Sequence, residues 1–103
     1  MAKRMTIFSI PGDPADLFEF KREVMDPVIT AKGGEYGEIV HIAVKNPDGS
    51  GITIVNVWES AERSDRAARD PEIEAVRAAL AERLGAGSPP AGIHYEVVDF
   101  VQR

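Results

Sequence analysis

The sequence predicts an α+β fold with helices packed on one face of a small sheet, and three observations carry that expectation. Ile52-Thr53-Ile54-Val55-Asn56-Val57-Trp58-Glu59-Ser60 is the longest run of strand-forming residues and holds the chain's single tryptophan. Two Asp-Pro pairs, Asp13-Pro14 and Asp70-Pro71, each precede an apolar stripe at helical spacing. An acidic N-cap followed by proline at the first helical position starts a helix, because proline's missing N–H is unneeded there. Finally, the strand-like and helix-like segments alternate in the order β-α-β-β-α-β, the split β-α-β or ferredoxin-like arrangement.

Taken in order, Met5 to Ile10 is short, β-branched or aromatic in part, and bounded by Pro11-Gly12, so it reads as strand one. Asp13-Pro14 opens the first helix, whose stripe is Leu17, Phe20, Val24, Val28 and Ala31, widened by Phe18, Met25 and Ile29. Pro27 lies inside that pattern. It cannot donate a backbone hydrogen bond and its ring crowds the preceding turn, so the helix is expected to kink there or restart with Asp26 as cap. Lys32-Gly33-Gly34 ends it. Tyr36 to Val44 reads as strand two, and Lys45-Asn46-Pro47-Asp48-Gly49-Ser50 as a tight hairpin connection into strand three. Ser60 can cap a short helical turn over residues 61–68. Asp70-Pro71 opens the second main helix with stripe Ile73, Val76, Leu80 and Leu84, which Gly85 terminates. Gly85 to Gly92 is a loop of small residues and prolines. Ile93 to Val101 is the fourth strand.

Residues 1–103 are expected to form one domain. A domain of that size buries only about 60–70% of its unfolded surface, so a partner would add materially to its stability. Strand side chains alternate between faces, and a face left in water should read polar. Here Ile52, Ile54, Asn56 and Trp58 share one face, while Thr53, Val55, Val57 and Glu59 share the other. Strand two carries Val40, Ile42 and Val44 on one side, and Ile39, His41 and Ala43 on the other. In strand four Val97 and Val101 alternate with Val98 and Phe100. With apolar residues on both faces, the second face calls for cover. A second copy packing sheet on sheet, a homodimer, is the expected partner, giving a closed two-subunit barrel with helices outside.

The net charge of −5 argues against a nucleic-acid partner or an anionic membrane surface, since phosphate binding needs a positive field. There is no cysteine, which excludes disulfides, thiolate catalysis and zinc-finger sites and is compatible with a cytoplasmic setting. Met1-Ala2-Lys3-Arg4 is basic, but Pro11-Gly12-Asp13 cuts the next segment short before an apolar signal-peptide core could form, and no transmembrane helix is expected. No metal site is expected, because His41, His94, Glu38, Glu59, Glu96 and Asp99 show no short ligand spacing. Gly33-Gly34 and Gly85-Ala86-Gly87 follow helices, so neither has the strand–turn–helix context of a nucleotide loop.

Three residues of the sheet attract a functional reading. Trp58 is a large hydrophobic body whose indole N–H wants one acceptor; it is either core or pocket lining. Asn56 is an amide between two valines, and buried amides must be hydrogen-bonded or cost about 1–3 kcal/mol. Its partner is nearby backbone or water on one reading, and a ligand on the other. His41 has the opposite parity to Val40 and Ile42. If the hairpin aligns the odd residues of strands two and three, it faces Val55, Val57 and the barrel interior. It is a satisfied structural imidazole or a general base, a role for which histidine as a residue type suits neutral pH. His94, opening strand four, is expected near the surface.

The order of elements over nearly the whole chain, the Ile54-Val55-Asn56-Val57-Trp58-Glu59-Ser60 ending of strand three, Gly37-Glu38-Ile39-Val40-His41-Ile42-Ala43 ahead of the hairpin and the terminal His94-Tyr95-Glu96-Val97-Val98 together resemble the dimeric α+β barrel superfamily. Within it the chain is most similar to the antibiotic-biosynthesis-monooxygenase-like proteins, especially small actinobacterial members of unassigned function. That resemblance implies either a cofactor-independent oxygenase acting on a small aromatic or polyketide-type substrate, or a non-catalytic barrel that binds a small apolar molecule or a protein, or one with a filled core. As an oxygenase it would hold substrate between helices and sheet, with Trp58, Phe18 and Phe20 shaping the pocket and Asn56 and His41 polarising or deprotonating the substrate. No cofactor is implied, since in such enzymes a substrate carbanion itself reacts with oxygen. The haem-degrading branch pairs a Trp like Trp58 with an Asn on strand one and a His on the following helix. Met5–Ile10 has no Asn and residues 61–84 no His, so that activity is set aside.

Overall fold

The computed structural model describes residues 2–103; Met1, part of the basic Met1–Arg4 start, lies outside them. Four strands, β1 (Arg4–Pro11), β2 (Glu38–Lys45), β3 (Gly51–Trp58) and β4 (Ile93–Glu96), form an antiparallel sheet in the order β2-β3-β1-β4. Helical segments α1 (Pro14–Phe20), α2 (Asp26–Gly33), α3 (Ala61–Ala68) and α4 (Pro71–Leu84) connect them. This is the α+β, ferredoxin-like arrangement predicted from the element order.

The helix ends follow local chemistry. Asp13, Ser60 and Asp70 each accept a backbone N–H of the first turn through their side chains. Gly85 closes α4 at φ 67°, the left-handed conformation that glycine adopts without a Cβ penalty. The α-helix restarts ahead of Pro27, but Asp26 is not its cap: Asp26 is already helical, Met25 precedes it, and the proline sits in the first turn of α2. Between α1 and α2 the chain passes through a π-helical turn, Lys21–Met25, in which Asp26 N–H reaches back to the Lys21 carbonyl. Widening the ladder just ahead of Pro27 lets the ring enter at the start of α2, where an absent N–H costs little. The Asp26 carboxylate instead accepts from Lys21 Nζ at 2.8 Å.

Register decides which residues meet. Ile10, Ile52, Ile54, Leu17 and Leu80 form the buried core between sheet and helices, each aliphatic contributing about 1.5–3 kcal/mol by burial. Two adjacent rows cross the sheet and point opposite ways. His41, Asn56, Thr6 and His94 pair in one row toward the helices; Ile42, Val55, Ile7 and Ile93 pair in the next, on the open face. That open face leaves Ile42 50% and Ile93 57% exposed. β4 is shorter than expected: after Glu96, Val97 N–H still reaches the Lys3 carbonyl, but residues 97–103 run on without strand pairing, and Val98 is 93% exposed. Among the described residues no helix is long and apolar enough to cross a membrane.

One ion cluster ties α2 to α4. Asp70 Oδ2 accepts from Lys32 Nζ at 2.9 Å and from the Tyr36 hydroxyl at 2.7 Å, while Oδ1 caps the N–H groups of Glu72 and Ile73. The Lys32 ammonium and then the Tyr36 hydroxyl hold the Asp70 carboxyl well below the usual carboxylate range, and the same carboxylate pushes Lys32 and Tyr36 up. A depressed carboxyl stabilises the fold above its unfolded value and loses that contribution as pH falls toward its folded value. Asp70→Asn is therefore expected to lower Tm by several degrees at pH 7, with the gap to wild type closing as pH falls below about 4. Melting curves across that range check it; a gap unchanged by acid contradicts it.

Candidate functional site

The helix-facing row of the sheet floors a cavity of about 190 Å³. Phe8, Ile54, Met25, Ile29, Ala67 and Leu80 give it apolar walls. Glu38, His41, Asn56, Thr6 and Trp58 come together on its floor, and Ser64 of α3, Arg77 of α4 and His94 are further polar lining. Pro89, Pro90 and Gly92, from the loop before β4, also line it. Gly92 allows that loop to lie close: a methyl group there would stand 2.7 Å from a Phe8 ring carbon.

A β-bulge builds the polar end. Glu38 pairs with Trp58, Val40 pairs with Val57, and Ile39 between them is the extra residue. In a regular strand, residues three apart point to opposite faces. The bulge inverts the phase, so Glu38 and His41 both face the helices. His41 lies on the hairpin side of the bulge, where the register running from Lys45 opposite Ile52 pairs odd with even residues; it therefore lies opposite Asn56 and not, as an odd-to-odd alignment would have it, beside Val55 and Val57 toward the barrel interior. Gly33 admits the Glu38 carboxylate beneath the end of α2, where a methyl group would stand 2.6 Å from Oε1.

Hydrogen bonds join these groups into one chain. Trp58 Nε1–H points to Thr6 Oγ1 at 3.4 Å and the Thr6 hydroxyl to Asn56 Oδ1 at 3.5 Å, both longer than the usual hydrogen-bond range and so weak contacts. Asn56 Nδ2 donates to Glu38 Oε2 and to His41 Nδ1, the latter at 2.9 Å. Glu38 fixes the amide's orientation, because a carboxylate can only accept and needs the NH₂ end turned toward it. Asn56 is 5% exposed, so this internal satisfaction matters energetically. His41 Nδ1 also lies 3.5 Å from Glu38 Oε2. Accepting from Asn56 puts the ring proton on Nε2; donating Nδ1–H to Glu38 would free Nε2 as a base. The two neighbours of Nδ1 thus permit both a polarising and a deprotonating imidazole.

Of the residues singled out by sequence, Asn56, His41 and Trp58 meet at the cavity. Phe18 and Phe20 do not line it. They pack on the Ile10–Leu17 core cluster instead, with the Arg83 guanidinium over the Phe20 ring at 5.8 Å, because the stripe of α1 faces the far end of the sheet. His94 is exposed as expected, yet its row position brings it to the cavity as well. Glu38, Thr6 and Arg77 were not anticipated in the site. Arg77 had a usable signal, falling on the helical spacing Ile73, Arg77, Leu80; Glu38 had none, since nothing in its neighbours announces the bulge. Among the described residues no group of three or more His, Asp or Glu could hold a metal ion.

No protein-family model and no curated relative matches the sequence. Solved structures do match in fold. Rv0793 from Mycobacterium tuberculosis is 19% identical at a TM-score of 0.72, covering 99% of this chain and 100% of that one. A Caulobacter crescentus protein with a provisional antibiotic-biosynthesis-monooxygenase name is 16% identical at 0.72, covering 95% and 92%. A monooxygenase from the ActVA-Orf6 gene of Streptomyces coelicolor, in complex with Nanaomycin D, is 17% identical at 0.65, covering 99% and 92%. The chain has the ferredoxin-like α+β fold of the antibiotic-biosynthesis-monooxygenase-like proteins. At these identities the likeness is one of fold.

Proposed function

We propose that the protein is a homodimeric, cofactor-independent oxygenase that holds a small, largely apolar aromatic substrate between helices and sheet. The observation that carries this is the Glu38–Asn56–His41 cluster on the floor of an otherwise mostly apolar cavity. The fold's occurrence in a Streptomyces monooxygenase with a bound organic ligand supports it. Size narrows the substrate. Drug-sized ligands occupy about 300–1,000 Å³, whereas a cavity of about 150 Å³ takes benzene. At about 190 Å³ this one suits a one-ring compound, or a compact two-ring one, more than a larger polyketide.

In such a reaction the substrate supplies the electrons. His41 polarises an oxygen on the ring or takes a proton, and the resulting carbanion reduces dioxygen. On a hydroxylated ring the C–H ortho or para to the hydroxyl ends as C=O and the hydroxyl as the second C=O, dioxygen taking four electrons and giving one oxygen to the quinone and the other to water. Asn56 and Glu38 act by holding the imidazole in one orientation. The open sheet face supports a second subunit, because leaving Ile42, Val55, Ile7 and Ile93 in water forfeits roughly 1.5–3 kcal/mol for each fully covered side chain.

A non-catalytic binding barrel is the second reading, favoured by one fact: both hydrogens of the Asn56 amide are already used inside the chain. Turnover separates the two. With one- and two-ring hydroxylated aromatics under labelled dioxygen, label is expected in the product, and His41→Ala is expected to be slower by roughly 100-fold or more. Trp58 fluorescence that reports binding without any turnover would leave the binding barrel standing and remove the oxygenase.

A further inference from the structure

Resting on the reading that this cavity holds the substrate, we infer that the substrate is an aromatic acid whose carboxylate is bound by Arg77. Arg77 occupies the sheet-facing stripe of α4 between Ile73 and Leu80, and all three line the cavity. It is half-buried, whereas Arg22, Arg66 and Arg69 are exposed and have water as their counter-medium. A half-buried guanidinium on a mostly apolar wall gives up part of its hydration, and a negative partner in the cavity offsets that loss. Among the described residues Arg77 makes no ion pair, although acids outnumber bases in the chain by 17 to 12. Glu74, one helical turn earlier and at a spacing that often pairs, does not supply one. Nor is Arg77 stacked on an aromatic ring as Arg83 is on Phe20. The missing partner is the ligand's.

A planar guanidinium presents a donor fork that matches a carboxylate's two oxygens. The apolar walls take the ring, and the volume limits the acid to one ring or a compact pair of rings. Arg77 then serves as the anchor, and the His41 end of the cavity faces what remains of the ligand.

Benzoate and benzamide are a matched pair of nearly the same shape, one anionic and one neutral. Binding is followed by Trp58 fluorescence and titration calorimetry on wild type, Arg77→Met and Arg77→Lys, each checked for folding by circular dichroism. Wild type is expected to bind benzoate about tenfold or more tighter than benzamide. Arg77→Met is expected to lose that preference through weaker benzoate binding alone, and Arg77→Lys to keep part of it. Equal binding of the two by wild type, or a preference that survives in Arg77→Met, overturns the assignment and leaves the pocket intact. If neither compound binds wild type, the assignment and the pocket reading fall together.

Discussion

Asn56→Leu is expected to lower Tm by about 10 °C. Leucine keeps the branched skeleton of the amide but, among the described residues, removes the one donor that reaches both Glu38 and His41. A buried acceptor left without its donor costs about 1–3 kcal/mol, and more when it is charged. For a domain of about 100 residues each kcal/mol shifts Tm by about 4–8 °C. The Glu38 side chain is only 10% exposed, so water cannot fully replace the amide. The internal control is the double variant Glu38→Leu with Asn56→Leu. Removing both partners leaves no orphaned carboxylate, so the double variant should melt above Asn56→Leu alone. A Tm change under about 2 °C in the single variant, or a double variant that melts lower still, would show that the network does not hold this end of the sheet together. Melting curves followed by circular dichroism measure both.

Val55→Lys is expected to turn a dimer into a monomer. Val55 stands on the central strand β3 in the middle of the open apolar row, between Ile42 and Ile7. In a two-fold assembly the substitution enters twice, and each ammonium would be buried without a partner. An uncompensated buried charge costs about 3–5 kcal/mol, so two raise the dissociation constant at least about a thousandfold. Sedimentation should give twice the 11.2 kDa chain mass for wild type and the single mass for the variant. A wild-type chain that sediments at the single mass would remove the second subunit altogether. The cavity would stand regardless, since the described residues of one chain line it.

Most of the fold was legible because its signals are local. Ser60, Asp70-Pro71 and Gly85 punctuate the helices by hydrogen bonds and backbone angles that depend on near neighbours only, and α3 and α4 start and stop where those residues say. The two-faced apolar pattern of β3 and the closeness of Asn56 to Trp58 followed from strand alternation. The π-helical turn before Pro27 was not legible, because a kink, a restart and a widened turn each accommodate proline's missing N–H.

The order of elements, the apolar wall and the presence of one amide that packing does not explain can be read from the residues in line. What that amide meets depends on strand pairing in three dimensions. Strand phase is a binary quantity, and a single extra residue at Ile39 inverts it for everything before the bulge relative to everything after. That inversion brings Glu38 onto the face of His41 and makes a hydrogen-bonded cluster out of residues whose spacing places them on opposite sides. The pairing that produces it is set by contacts between strands far apart in the chain, and local sequence carries no record of it.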